Sequence, residues 1–97
     1  IRGAIIDYEK AFNIDPENAK AYYNAGVMKT KLKEFEAAVN YFDKAIAIAP
    51  DWGSAYYNRG ICKISLGQMN EGCIDLSMAG EKGYPKAYDV IKRRCAK

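Results

Sequence analysis

The sequence contains no histidine. That removes the commonest general base and the commonest metal ligand. Ser–His and Cys–His nucleophile pairs are excluded with it. No Gly-rich phosphate loop of the GxxxxGK[ST] kind occurs, so nucleotide chemistry of that type has no cradle. The acidic pair Glu34/Glu36 falls in a solvent-facing turn and Asp7/Glu9 on an outward helix face, where nothing raises a carboxyl pKa for acid catalysis. No apolar run approaches the length of a membrane span. The cysteines, Cys62, Cys73 and Cys95, lack Cys-x-x-Cys spacing, and without histidine they cannot complete a four-ligand zinc site. The expectation is a chain that is no enzyme, binds no metal and carries no cofactor.

What is present suits a small folded unit. The chain has 97 residues, 49% hydrophobic and 28% charged, enough for one modest core or a segment of a longer array. The net charge of +3 is too mild to imply nucleic acid. The basic residues cluster at Lys29, Lys31 and Lys33, and again at Lys92, Arg93, Arg94 and Lys97. Solvated helix ends favoured by the helix dipole explain both clusters; phosphate binding is the alternative. RNA binding is disfavoured because the tyrosines sit on stripes needed for packing or for a groove. The cysteines read as small buried hydrophobes. A Cys73–Cys95 disulfide is the alternative, if the last two helices pack together in an oxidising compartment. The first reading suits the cytoplasm, the second a periplasmic or secreted location.

The strongest signal is internal repetition. Ala4, Tyr8, Ala11 and Pro16 return as Ala38, Phe42, Ala45 and Pro50, each about 34 residues later. Tyr22, Tyr23, Asn24 and Gly26 return with the same period as Tyr56, Tyr57, Asn58 and Gly60. Gly72, Leu76 and Ala79 continue the first set. Within a repeat the apolar spacing is helical: Phe35, Ala38, Val39, Phe42, Ala45 and Ile46 share one face. Six helices are predicted, over 2–14, 18–32, 35–48, 52–66, 69–82 and 86–96. Pro16, Pro50 and Pro85 stop each second helix. Asn18 and Asp51 are candidate N-caps, and Gly67 supplies a left-handed helix terminus.

These residues carry a resemblance. The segment from Ala19 to Pro50 resembles a tetratricopeptide repeat, through Tyr22, Ala25, Gly26, Ala38, Phe42, Ala45 and Pro50. Tyr56, Gly60, Gly67, Leu76 and Ala79 match in the next repeat, which departs at Arg59, at Gly72 where alanine is usual, and at Tyr84–Pro85. The resemblance implies an all-α, right-handed superhelical stack of antiparallel helix hairpins. Residues 1–16 look like the second helix of a truncated repeat, 19–52 and 53–85 like full repeats, and 86–97 like a C-terminal capping helix. In that last segment Lys86, Ala87 and Tyr88 echo Lys20, Ala21 and Tyr22. The uncovered first helix, with Ile5, Tyr8 and Phe12, is a candidate surface for self-association.

The resemblance further implies non-catalytic binding of a peptide or partner protein on the concave face, lined by the first helix of each pair. The candidates are Lys20, Tyr23, Asn24, Val27 and Lys31, then Ser54, Tyr57, Asn58 and Ile61, with Lys86 at the edge. On a helix, 23, 24, 27 and 31 share a face offset from the Tyr22–Gly26 packing stripe. An asparagine can pair with a ligand backbone, and a tyrosine adds rigid area with a polar tip. The competing reading is that Tyr23 and Tyr57 fill the groove between stacked repeats. Some members of the family clamp a peptide carboxylate with Lys, Asn and Arg. Asn24 and Asn58 fit that pattern, but Tyr23, Val27, Tyr57 and Ile61 stand where its remaining groups would be. The alternative function is an architectural or self-associating segment of a larger repeat protein.

Overall fold

A computed structural model describes residues 16–95. They form α1 (Pro16–Lys31), α2 (Phe35–Ile48), α3 (Gly53–Ser65), α4 (Met69–Glu81) and α5 (Lys86–Val90), which runs on into a π-helical turn over Ile91–Cys95. No strand occurs among the described residues. The helix predicted over 2–14, with Ile5, Tyr8 and Phe12, lies outside them, and so does the self-association surface assigned to it.

Two hairpins, α1–α2 and α3–α4, make the most extensive contacts; α2 packs on α3 between them, and α5 packs on α4. The pairs are antiparallel. A Cβ on Gly53, at the start of α3, would meet Ala79 near the end of α4, and a Cβ on Gly60 would meet Gly72 near its start. Each hairpin bends through a register-matched turn. The Glu34 N–H donates to the Lys29 carbonyl (2.9 Å), and the Gln68 N–H to the Lys63 carbonyl (2.8 Å). This six-to-one bond needs a left-handed residue before it. Gly67 provides one at φ 86°, as predicted, and Lys33 adopts φ 63° at the matching place.

Burial follows the 34-residue register. Ala19 and Gly53 are buried, as are Tyr22 and Tyr56, Gly26 and Gly60, Ala38 and Gly72, Phe42 and Leu76, and Ala45 and Ala79. Small residues admit the neighbouring helix and large ones fill the space beside it. The same register extends to α5, where Ala87 and Val90 are buried. This corrects the expected echo: Ala87 stands where Ala19 and Gly53 stand, and Val90 where Tyr22 and Tyr56 stand. Matching Lys86–Ala87–Tyr88 to Lys20–Ala21–Tyr22 puts Tyr88 in the place of the buried Tyr22, but Tyr88 is 48% exposed.

Both predicted N-caps are also corrected. Asn18 lies inside α1 with its side chain buried. Asp51 is exposed and accepts a hydrogen bond from Lys82 at 3.1 Å, while Trp52 occupies the cap of α3 without a side-chain cap bond. The second helix of each pair ends at Ile48 and Glu81, short of Pro50 and Pro85.

The cysteines divide. Cys73 and Cys95 form a disulfide joining α4 to the last turn, with Cα atoms 5.9 Å apart, so the three-buried-thiols reading holds only for Cys62. That residue is free, buried, and 3.2 Å from Thr30 Oγ1. Burial pushes its thiol pKa up, and the hydrogen bond with Thr30 opposes this in part. A thiol held protonated and out of solvent is a poor nucleophile. The native chain will therefore resist Ellman's reagent, and one thiol will react once guanidinium unfolds it. The sign of the linkage follows. Below the ordinary thiol pKa, Cys62 leaves stability unchanged. As pH rises through that value the unfolded chain loses its proton first, and stability falls.

Candidate functional site

The first helix of each hairpin presents a strip beside its packing stripe. On α1 the strip holds Lys20, Tyr23, Asn24, Val27 and Lys31; on α3 it holds Ser54, Tyr57, Asn58 and Ile61. Lys20, Asn24 and Lys31 are exposed, and the other six are half-buried. The structure thus separates candidates whose contacting atoms are occupied from those left open.

Tyr23 is occupied. Its ring stacks on Trp52 with centroids 4.4 Å apart and meets the Phe42 ring edge-on at 5.7 Å. Its hydroxyl accepts a hydrogen bond from Asn58 Nδ2 at 3.0 Å, so the tyrosine of one hairpin is tied to the asparagine of the next. Asn58 Nδ2 also donates to the Ser54 carbonyl at 2.9 Å. Tyr57 tilts against Tyr84 at 5.0 Å. In each case a strip tyrosine packs on the segment leading into the next first helix, which supports the groove-filling reading. Val27 packs on the Ala38–Phe42–Cys62 cluster, and Ile61 on the cluster around Leu76. These side chains form a firm floor, and beside it Lys20, Asn24 and Lys31 are exposed, with no hydrogen-bond or ion-pair partner among the described residues. Lys86 is exposed at the start of α5, in the register of Asn18 and Trp52, and so outside the strip.

Sequence reasoning missed two features that join the elements of the stack. One is Trp52, the sole tryptophan, whose place just ahead of a repeat's first helix was the available signal. The other is an ion network between hairpins. Arg59 donates from Nε and Nη2 to both carboxylate oxygens of Asp75 (2.9 and 2.8 Å) and from Nη1 to Asp43 (2.7 Å). Burial alone would lower the Arg59 pKa, but the bonds and charge of Asp75, then of Asp43, more than reverse it and hold the guanidinium above its ordinary range. The apparent mismatch at Arg59 thus clamps α3 to α2 and α4.

Among the described residues no group of three or more His, Cys, Asp or Glu could hold a metal ion, and no helix is long and apolar enough to cross a membrane. A shallow hollow of about 400 Å³ on α2, lined by Ala37, Asn40, Tyr41, Asp43 and Lys44, shares no residue with the strip.

The fold and the strip define a stack of helix hairpins with an open face along its first helices. Residues 19–51, which cover most of α1, all of α2 and part of the connection to α3, match the tetratricopeptide repeat family. No curated protein shows significant similarity to the chain.

Proposed function

We propose that the chain is a non-catalytic interaction scaffold that binds a peptide or partner protein on the concave face of α1 and α3. Its units are read as repeats over 19–52 and 53–85 with a cap over 86–97, in a right-handed superhelix. The observation that carries this reading is the exposed Lys20–Asn24–Lys31 row above a floor of occupied aromatics. Rigid packing beneath free hydrogen-bonding groups is what preorganised recognition of an extended backbone requires. The Cys73–Cys95 disulfide favours the oxidising location, periplasmic or secreted, over the cytoplasm.

Asn24 is a better probe than Tyr23 or Asn58, because those two also hold the hairpins together. Peptides selected from a random display library against the chain should bind Asn24→Ala about tenfold more weakly, the cost of one interfacial hydrogen bond. The thermal melt of the variant should stay unchanged. If every selected peptide is indifferent to Asn24 and Lys31, the concave-face reading fails and the architectural one takes its place.

A further inference from the structure

The binding strip does not stop at α3. Because Ala87 and Val90 occupy the register of Gly53 and Tyr56, Ile91 and Lys92 take the places of Tyr57 and Asn58, and Tyr88 takes that of Ser54. Ile91 is half-buried against the core cluster, whereas Tyr88 and Lys92 are exposed. The strip across α1, α3 and α5 therefore carries three cations, Lys20, Lys31 and Lys92, and no carboxylate. None of the three has an ion-pair partner among the described residues. Five acids are engaged by other cations, Glu34 by Lys29, Asp43 and Asp75 by Arg59, Glu71 by Lys63 and Asp51 by Lys82, and Asp89, exposed one turn before Lys92, makes no ion pair with it. A row of unneutralised cations favours a negatively charged partner.

Single-stranded nucleic acid would need free ring faces for its bases. The Tyr23 ring is stacked on Trp52 and the Tyr57 ring lies against Tyr84, which leaves Tyr88 as the one exposed ring of the strip and no succession of stacking faces. Helix α5 is also held covalently. It has five α-helical residues before the π turn, it buries only Ala87 and Val90, and Cys95 at its end is bonded to Cys73 on α4.

We propose that disulfide-held α5 is the third wall of the binding face and that this face takes an acidic extended peptide. The proposal rests on the concave-face reading above. It makes binding redox-sensitive. One thiolate of a dithiol reductant attacks a sulfur of the Cys73–Cys95 bond, its second thiol then displaces the remaining cysteine, and the reductant leaves as a cyclic disulfide. Two protonated cysteines remain and α5 is no longer tethered.

The test is fluorescence anisotropy at low salt with a short fluorescein-labelled peptide alternating Glu and Ala. A Lys/Ala peptide and a thymidine oligonucleotide serve as comparisons. The acidic peptide should bind in preference to both. Lys20→Glu and Lys92→Glu should each weaken it about fivefold, as expected for reversing one charge of an exposed pair. Lys33→Glu, which changes net charge equally at an exposed turn off the strip, should have less than half that effect. Dithiothreitol should weaken binding as much as Lys92→Glu, with no further loss when the two are combined. Equal loss from Lys33→Glu, tighter binding of the oligonucleotide, or indifference to dithiothreitol would overturn the proposal. Library-selected peptides that need Asn24 but ignore Lys92 would also overturn it, while leaving the concave-face reading intact.

Discussion

Replacing Asp75 with alanine will destabilise the chain by about 3–5 kcal/mol, the loss that follows when one partner of a buried ion pair is removed. The Asp75 side chain is only 4% exposed and that of Arg59 17%. Arg59 cannot shed its proton to escape, because a guanidinium stays charged in proteins even without a partner. In Asp75→Ala the guanidinium keeps its charge and retains only Asp43, whose side chain is 51% exposed and whose pairing is therefore worth little. Lys63, with its ammonium 3.6 Å from Asp75, loses a second contact. Asp43→Ala should cost less than about 1 kcal/mol by the same reasoning. The Arg59→Met, Asp75→Leu double variant should recover most of the loss, since a matched apolar pair leaves no stranded charge. Guanidinium denaturation of the three variants beside the parent chain measures this. A loss below about 1 kcal/mol for Asp75→Ala would mean that water reaches the guanidinium, as it does at exposed pairs.

That network also shows where sequence reading stops. The hairpins were legible because Tyr22/Tyr56, Gly26/Gly60 and Ala45/Ala79 repeat at a fixed spacing, and every one of these residues is buried. The turn at Gly67 was legible because a positive φ favours glycine. Arg59 looked like a departure from the repeat because its partners, Asp43 and Asp75, lie one turn of the stack away on either side, a distance no local pattern encodes. Asn18 and Asp51 had the right chemistry for caps, but tertiary contacts won: one is buried within a helix and the other pairs with Lys82. The strip was found in outline only. Helical spacing placed Tyr23 and Asn24 side by side, but only coordinates show that the Tyr23 ring is covered by Trp52 while Asn24 is exposed. The α5 part of the strip was missed because the Tyr-containing echo suggested the wrong register.

Restoring the usual alanine at position 72 will destabilise the protein, although helix propensity alone argues the opposite. Alanine is better than glycine inside a helix by about 1 kcal/mol. At Gly72, however, a Cβ would lie 2.6 Å from Ile64 Cγ1, 2.7 Å from the Gly60 carbonyl oxygen and 3.2 Å from the Ile64 backbone nitrogen. Two of those three obstacles are backbone and cannot rotate aside, so α3 and α4 must separate. Overpacking of this kind costs about 1–3 kcal/mol, and with rigid obstacles the upper half of that range applies. The net expectation is a loss of about 1–2 kcal/mol, or a Tm lower by roughly 4–15 °C for a domain of this size. The first hairpin tolerates Ala38 at the same register because its spacing is set differently. There the Phe42 ring faces Gly26, whereas Leu76 stands in for Phe42 in the second hairpin and the backbones close to contact at Gly60 and Gly72. Gly80→Ala is the contrast. The three atoms nearest its added Cβ all belong to the far end of the Tyr88 side chain, which is 48% exposed and can move more cheaply than backbone, so the helix-propensity gain of up to about 1 kcal/mol should survive. Paired thermal melts decide the matter. A Gly72→Ala variant melting at or above the parent would show that α3 and α4 are not in backbone contact.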